Sequence, residues 1–132
     1  MQYAPTLSRA ALVTLATQDY FGRVDAKDMA GTLACFHDEA LLCVQTSFVR
    51  HAGKAEIGRM FADFFDAYQS IVHRDFTCTV DAKHGRIAAS FEAVLTAADG
   101  RVTRLRNTNF WRVRDGRFQE VHVYMSGDNV LV

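Results

Sequence analysis

The sequence of 132 residues has one proline, no long apolar run and no excess of charge of either sign. Fifteen Lys and Arg side chains balance fifteen Asp and Glu side chains, so no overall cationic field attracts nucleic acid or an anionic membrane. The apolar runs are far shorter than the roughly 20 residues that cross a bilayer. We therefore expect no nucleic-acid partner and no membrane-spanning segment.

Cysteine is also sparse, and its three positions, Cys35, Cys43 and Cys78, lie far apart among apolar neighbours. An odd number at this spacing indicates reduced core residues rather than a disulfide framework or a zinc site. The N-terminus lacks the basic and then apolar segments of a secretion signal. We therefore expect a cytoplasmic protein without a structural metal.

No linker or low-complexity stretch interrupts the sequence. A chain of this length with 49% apolar side chains can bury one core and is too short for two ordinary domains. The P-loop, the Rossmann glycine fingerprint, GxSxG and HExxH are all missing, so we expect no cofactor. The sequence predicts a single domain over residues 1–132.

Helical periodicity marks the start of the chain. Thr6 or Ser8 is predicted to cap a first helix, whose inward stripe recurs every four residues at Leu12, Ala16, Tyr20 and Val24. Asp25 is predicted to cap a short second helix that ends near His37. Residues 40–46 form a short, mostly apolar run followed by polar residues, and this pattern predicts a brief strand and then a loop.

The clearest helix is predicted to open at Gly53. Its apolar side chains recur at helical spacing and form one broad aromatic face, made by Ile57, Met60, Phe61, Phe64, Phe65 and Tyr68. Such a face needs a broad apolar surface to cover it, which a sheet from the second half of the chain would provide.

Three turn signals, Gly85, Asp99-Gly100 and Asp115-Gly116, divide the second half into four strands of an antiparallel meander. A two-residue turn is predicted at His84-Gly85. Neighbouring strands must turn apolar side chains to the same face, which favours a three-residue loop at Gly100 and sets Glu92 opposite Arg106. A two-residue turn at Asp115-Gly116, continued without interruption, then divides the last strand. Its inward side chains are predicted to be Phe118, His122 and Tyr124, and its outward ones Val121, Val123 and Met125.

This register predicts one polar patch on an otherwise apolar inner face, formed by Asn107, Asn109, His122 and Tyr124. With Tyr20 facing the same interior, the patch describes an apolar pocket with a few convergent polar groups, the usual form of a small-molecule site. His122 is the candidate general base or acid, and Tyr20 and Asn109 are candidate donors to a carbonyl or enolate oxygen. The alternative is a satisfied core network, in which these groups only bond one another and the backbone.

Other polar clusters are weaker candidates. His73 and Asp75 lie two apart on a strand face that the predicted register turns to solvent. Contiguous side chains at His37, Asp38 and Glu39 point in different directions and do not suit a metal. The arginine-rich segment 101–117 alternates with inward residues, so neighbouring acids can neutralise it.

The order of these elements resembles the nuclear transport factor 2-like superfamily, and in particular its SnoaL-like branch. The likeness spans nearly the whole chain and is carried by four segments, at residues 36–40 (FHDEA), 53–57 (GKAEI), 110–118 (FWRVRDGRF) and 121–124 (VHVY). The resemblance implies a cone-shaped, cystatin-like α+β fold, in which three N-terminal helices pack on a strongly curved antiparallel sheet and enclose a cavity. It also implies a homodimer. Members of the superfamily include isomerases, polyketide cyclases, hydratases, epoxide hydrolases and non-catalytic carriers.

The ketosteroid isomerases of this superfamily provide a residue-level comparison. Tyr20 matches their oxyanion-binding tyrosine, and Asn109 matches the strand position of their protonated acid. Val44 stands where those enzymes have the catalytic aspartate, and a valine cannot abstract a proton. The resemblance therefore implies an oxyanion site whose base is replaced, and His122 is the candidate replacement.

Three functions follow from this sequence. The first is a cofactor-independent isomerase, cyclase or hydratase that acts beside a carbonyl of a mostly apolar substrate. Its catalytic residues are predicted to be His122, Tyr20 and Asn109, and its substrate-binding residues Asn107, Tyr124, Trp111, Phe61, Phe65 and Val44. The second is a non-catalytic homodimeric binding protein for a hydrophobic metabolite, paired through the outer sheet face at Phe110, Val121, Val123 and Met125. The third is an interaction domain with a filled core.

Overall fold

The computed structural model describes residues 7–132. Ser8 begins the first helix, since its hydroxyl accepts a hydrogen bond from the Ala11 amide at 3.2 Å, while Thr6 lies outside the described residues. The helical elements are α1 (Arg9–Val13), a π-helical stretch (Thr14–Tyr20), α2 (Phe21–Asp25), α3 (Met29–Ala34) and α4 (Gly53–Ala67). The helix predicted to open at Gly53 is thereby confirmed.

The second predicted helix starts later and ends earlier than the sequence predicts. Asp28, not Asp25, is its N-cap, because the Asp28 carboxylate accepts the Gly31 amide at 2.9 Å. The helix ends at Ala34, since Phe36 already pairs with Phe118 in the sheet. The prediction of a helix reaching His37 was therefore wrong.

Six strands form one sheet in the order β2-β1-β6-β5-β4-β3. Their bounds are β1 (Phe36–Val44), β2 (Val49–Ala52), β3 (Ser70–Asp81), β4 (Arg86–Thr96), β5 (Val102–Arg114) and β6 (Arg117–Tyr124). Strands β3 to β6 are the predicted antiparallel meander. The prediction of a wholly antiparallel sheet was wrong at one pair, because β6 runs parallel to β1, and the predicted loop after residue 46 contains β2.

Two of the hairpins have the turns that the sequence predicts. The Ala97 amide bonds the Arg101 carbonyl, which leaves the three-residue loop predicted at Gly100, and Glu92 pairs with Arg106. Asp115 and Gly116 both have positive φ and join Arg114 to Arg117 in a two-residue turn. At Gly85 the predicted two-residue turn is instead a longer one that includes a 3₁₀ turn, with Asp81 paired to Arg86.

Two β-bulges change which side chains face inward. One lies between Arg74 and Thr77 on β3, where Asp75 has a φ of 61°. The other lies on β6, where Val113 pairs with Phe118 but Arg112 pairs with Glu120, so that Gln119 is the extra residue. Because a bulge adds one residue to one strand, every side chain beyond it moves to the opposite face.

The predicted facing of the last strand was therefore wrong after Phe118. Val121, Val123 and Met125 are buried in the core, and His122 and Tyr124 lie on the outer face of the sheet. On β3, His73 faces inward, opposite the buried Ala93, rather than toward solvent.

The helices cover the inner face of the sheet, where α2 packs on β3 and α4 packs on β1 and β2. The predicted stripe Leu12, Ala16, Tyr20 and Val24 is buried there. The largest buried side chains are aromatic, namely Trp111, Phe36, Phe61 and Phe118. No helix in the described part of the chain is both long and apolar enough to cross a membrane.

Candidate functional site

Tyr20 lies at the centre of the aromatic core. Its ring meets Phe118 edge-on at 5.1 Å and Phe36 at 5.7 Å between ring centroids, and only 3% of the residue is exposed. Burial raises the pKa of the Tyr20 hydroxyl far above its ordinary value, and Cys35 raises it further. The phenol therefore stays protonated and acts as a hydrogen-bond donor at any physiological pH.

Asn107 and Asn109 project from β5 toward the same interior, as the sequence predicts. They stand two residues apart on one strand face, opposite Phe91 and Ala89 of β4. Both are buried, and the Oδ1 atom of each accepts no hydrogen bond within residues 7–132. Since buried amide oxygens normally have a donor, these two atoms mark a place where a water or a ligand can bind.

His73 is the interior histidine that the sequence analysis assigned to solvent. The Nδ1 atom of His73 lies 2.6 Å from Oδ1 of Asp25, and the backbone amide of His73 donates to Oδ2 of Asp25 at 2.8 Å. Its ring stacks on Phe21, with centroids 4.2 Å apart, and its side chain is 8% exposed. One residue thus engages both oxygens of the carboxylate.

This contact determines the chemistry of the imidazole. A proton on Nδ1 is bonded by Asp25, which leaves Nε2 as the ring nitrogen that can take or give a proton. The carboxylate also stabilises the imidazolium that forms when Nε2 takes a proton. A histidine whose Nδ1 is bonded by a carboxylate is the usual arrangement of a general base.

His73, Tyr20, Asn107 and Asn109 all line one internal cavity of about 30 Å³. Its remaining walls are apolar and include Phe61, Phe64 and Phe91. This volume holds one or two water molecules, whereas sites for drug-sized ligands enclose about 300–1,000 Å³. In the conformation described here the cavity is too small for a ligand of that size.

His122 does not join this group. It lines an outer groove of about 360 Å³ on the opposite face of the sheet, together with Phe110 and Glu120. Its Nδ1 atom accepts a hydrogen bond from Nε2 of Gln45 at 3.0 Å, and its Nε2 lies 3.9 Å from Glu120. The predicted convergence of His122 with Tyr20 and Asn109 was wrong, because the bulge at Gln119 turns the side chains of β6 that follow it to the opposite face of the sheet.

The predicted substrate-binding residues divide between the two faces. Asn107 and Phe61 line the internal cavity. Tyr124 is 44% exposed on the outer face, where its ring meets Phe110 at 5.8 Å. Phe65 packs beside Phe61 at 5.6 Å, but Phe64 is the neighbour that reaches the cavity.

Two further predicted binding residues are buried without lining the cavity. Val44 is fully buried at the end of β1, and Trp111 is 2% exposed, with its Nε1 unpartnered within the described chain. No group of three or more His, Cys, Asp or Glu side chains gathers anywhere in residues 7–132 as a metal site would.

The sequence carries a signal for the Asp25–His73 pair that the register argument missed. Asp25 follows the inward stripe of the first helix, and Asp75, a residue type that tolerates positive φ, stands two positions after His73. A bulge at Asp75 would have turned His73 inward, toward the helix that carries Asp25.

The sequence profile of the SnoaL-like domain matches residues 17–121, which is more than half of the chain. The chain belongs to the SnoaL-like domain family. The expected relationship to the nuclear transport factor 2-like superfamily is thereby confirmed. No protein with a curated description shows significant sequence similarity to this SnoaL-like chain.

Solved structures share the fold of this SnoaL-like domain. A candidate polyketide cyclase from Pseudomonas putida is 21% identical, over 86% of this chain and 90% of that chain, with a TM-score of 0.75. A candidate isomerase from Bacillus subtilis is 17% identical, over 91% of this chain and 90% of that one, with a TM-score of 0.79. A protein from Methylobium petroleophilum described as having a cystatin-like fold is 20% identical, over 95% and 82%, with a TM-score of 0.74. At these identities the likeness establishes the fold alone, and it confirms the expected cystatin-like α+β architecture.

Proposed function

We propose that this SnoaL-like protein is a cofactor-independent enzyme that moves a proton beside a carbonyl group of a small, mostly apolar molecule. The observation that carries the proposal is the Asp25–His73 pair, which lines the same apolar cavity as Tyr20, Asn107 and Asn109. The reaction type is an isomerisation, a cyclisation or a hydration. His73 takes the role of base that the sequence analysis gave to His122.

In this proposal Nε2 of His73 removes a proton from the carbon next to the carbonyl. The electron pair moves into an enolate, and Asp25 stabilises the imidazolium through Nδ1–H. Return of the same proton to another carbon completes an isomerisation. Attack of the enolate carbon on a second carbonyl of the same molecule, followed by transfer of the proton from Nε2 of His73 to the new alkoxide, completes a cyclisation.

Tyr20 and Asn109 are proposed to bind the carbonyl oxygen. The raised pKa of Tyr20 keeps its hydroxyl protonated, so it donates to the oxygen as negative charge develops there. The side-chain NH₂ of Asn109 supplies a second donor. The Oδ1 atoms of Asn107 and Asn109 accept hydrogen bonds from hydroxyl groups of the substrate. Phe61 and Phe64 form the apolar part of the pocket.

Hydrogen exchange in D₂O tests this chemistry without knowledge of the natural substrate. The protein is incubated with 2-cyclohexenone and 2-tetralone, and deuterium at the carbons beside the carbonyl is followed by NMR. We expect exchange faster than the buffer rate, and a loss of about 10²–10⁴-fold in His73→Gln, the usual contribution of a general base.

His84→Gln is the matched control, because His84 also bonds an aspartate, at 2.8 Å, but lies on the surface. It should exchange at the wild-type rate. Equal rates in His73→Gln and wild type would contradict the proposed base. Tight retention of a hydrophobic molecule in native mass spectrometry, with no exchange of any ketone, would favour the binding protein instead.

We also propose that two copies of the chain pair through the outer face of the sheet. Phe110 and Tyr124 are 48% and 44% exposed there and touch each other. Both signs of charge flank them, in Arg112 beside Glu120. A twofold axis needs such a self-complementary surface, since each patch meets its own copy. Val121, Val123 and Met125, which the sequence analysis placed in this contact, face the core instead.

A further inference from the structure

The residues that follow the last strand cover one side of the internal cavity. Val130 and Leu131 line it, next to Met125, and complete a wall whose other members belong to helices and strands. Residues 126–132 contain no helix or strand. The cavity is therefore bounded on one side by a segment that regular secondary structure does not hold in place.

A groove of about 540 Å³ lies on the other side of this segment, bordered by the last turns of α4 and residues 127–130. Three residues line both the groove and the cavity, namely Phe64, Leu105 and Val130. The partition between the two spaces is thus a single layer of side chains. Phe64 belongs to α4 and Leu105 to β5, and Val130 is the one of the three that no helix or strand holds.

Side-chain hydrogen bonds tie the segment down. Nε2 of His51 donates to the Leu131 carbonyl at 3.0 Å, and His51 is 3% exposed. Arg59 lies 3.5 Å from Nδ1 of the same ring, which favours the tautomer that donates from Nε2. Asn129 accepts the Leu131 amide at 2.8 Å and so shapes the turn that places Val130. Few bonds of this kind need to break for the segment to leave.

We propose that residues 126–132 form a lid over the cavity, that ligands enter from the groove when Val130 and Leu131 swing away, and that His51 is its latch. The role of the lid in admitting substrate rests on the proposed function. The opening of the lid does not rest on the proposed function, because it is a property of the protein without a ligand. The lid explains how an interior of about 30 Å³ serves a larger molecule, since opening joins it to the groove.

Thiol labelling measures the opening directly. Ala93 lines the cavity from β4 and is 2% exposed, so Ala93→Cys places a thiol behind the lid. Its reaction with N-ethylmaleimide is followed by peptide mass spectrometry at increasing urea below the unfolding transition. Global unfolding of the same protein is followed by the fluorescence of Trp111, the single tryptophan.

We expect labelling at position 93 to depend weakly on urea, because local opening exposes little surface. Adding His51→Ala should raise the labelling rate about fivefold, which corresponds to about 1 kcal/mol, the usual net contribution of one hydrogen bond. His84→Ala, a surface histidine far along the chain from the lid, should leave the rate unchanged.

A urea dependence as steep as that of Trp111 fluorescence would overturn the lid, because only global unfolding would then expose the cavity. A shallow dependence that His51→Ala does not alter would overturn the latch. If Ala93→Cys does not fold, Leu95→Cys probes the same wall, and Ser126→Ala removes the hydrogen bond that the Arg106 amide of β5 donates to the segment at 2.9 Å. No substrate is used, so failure of the ketone exchange and failure of the lid are separate results.

Discussion

At the scale of single residues, the candidate site depends on which histidine faces the interior. His73 and His122 are the same chemical group, yet the first is held by a carboxylate in an apolar cavity and the second by an amide on the outer face. Asp25 binds both the backbone and the ring of His73, so the orientation of the imidazole is fixed before any substrate arrives. Such preorganisation is what a proton-transfer site requires.

The buried Tyr20 makes the stability of the fold depend on pH in the alkaline range. Because the folded pKa lies above the ordinary value of 10.0, the folded state keeps a proton that the unfolded state loses. The contribution is complete below pH 10 and falls as the pH rises further, by at most about 1.4 kcal/mol per pH unit. Tyr20→Phe should remove this part of the slope between pH 10 and 11, measured as urea unfolding free energies.

Tyr68→Phe is the control for this measurement, because Tyr68 is only partly buried at the end of α4 and lies outside the proposed pairing face. It should leave the slope as in wild type. An identical slope in Tyr20→Phe and wild type would show that the phenol is not held protonated by the fold.

At the scale of secondary structure elements, two of the three hairpin turns were predicted correctly and neither bulge was predicted. Gly100 and Asp115-Gly116 mark their hairpins because few other residues adopt positive φ without cost. Gln119 carries no such mark, since a bulge needs an extra residue and not a special one. The meander and the aromatic helix were therefore read correctly from local chemistry, while the facing of β6 and of the start of β3 was not.

The bulge on β3 supplies the prediction at this scale. Asp75 has a φ of 61°, which a β-branched residue adopts only with strain. Asp75→Val should lower the free energy of unfolding by about 1–2 kcal/mol in urea titrations, whereas Asp75→Gly should match or exceed wild type by up to about 1 kcal/mol.

Asp75→Asn separates the backbone effect from the charge, because asparagine also tolerates positive φ. It should be as stable as wild type, since Arg74 and Asp75 are exposed and 3.9 Å apart. Wild-type stability in Asp75→Val would mean that the bulge moves or dissolves without cost, and His73 would then have no fixed facing.

At the scale of the whole molecule, the sheet has two faces with different tasks. The inner face and the helices enclose the aromatic core and the cavity, and the lid that covers one side of the cavity joins residues 80 positions apart, His51 and Leu131. Contacts at that separation have no local signal in a single sequence. The outer face carries the exposed aromatic pair Phe110–Tyr124, for which the fold of a single chain gives no role.

The proposed pairing of two copies is tested at Phe110, which is 48% exposed near the middle of the outer face. Phe110→Glu would place two carboxylates close to the twofold axis, where they are desolvated and repel each other. Sedimentation velocity should show the wild-type chain as a dimer and Phe110→Glu as a monomer at micromolar concentration. Phe48→Glu is the matched control, because Phe48 is 91% exposed in the turn before β2 and is not part of the pair Phe110–Tyr124. It should stay dimeric.

A Phe110→Glu chain that sediments as a dimer would place the interface elsewhere, and it would leave the pair Phe110–Tyr124 without an assigned role. If Phe110→Glu is monomeric, exchange of 2-tetralone by this variant shows whether the cavity acts alone, since His73, Tyr20 and Asn109 all come from one chain.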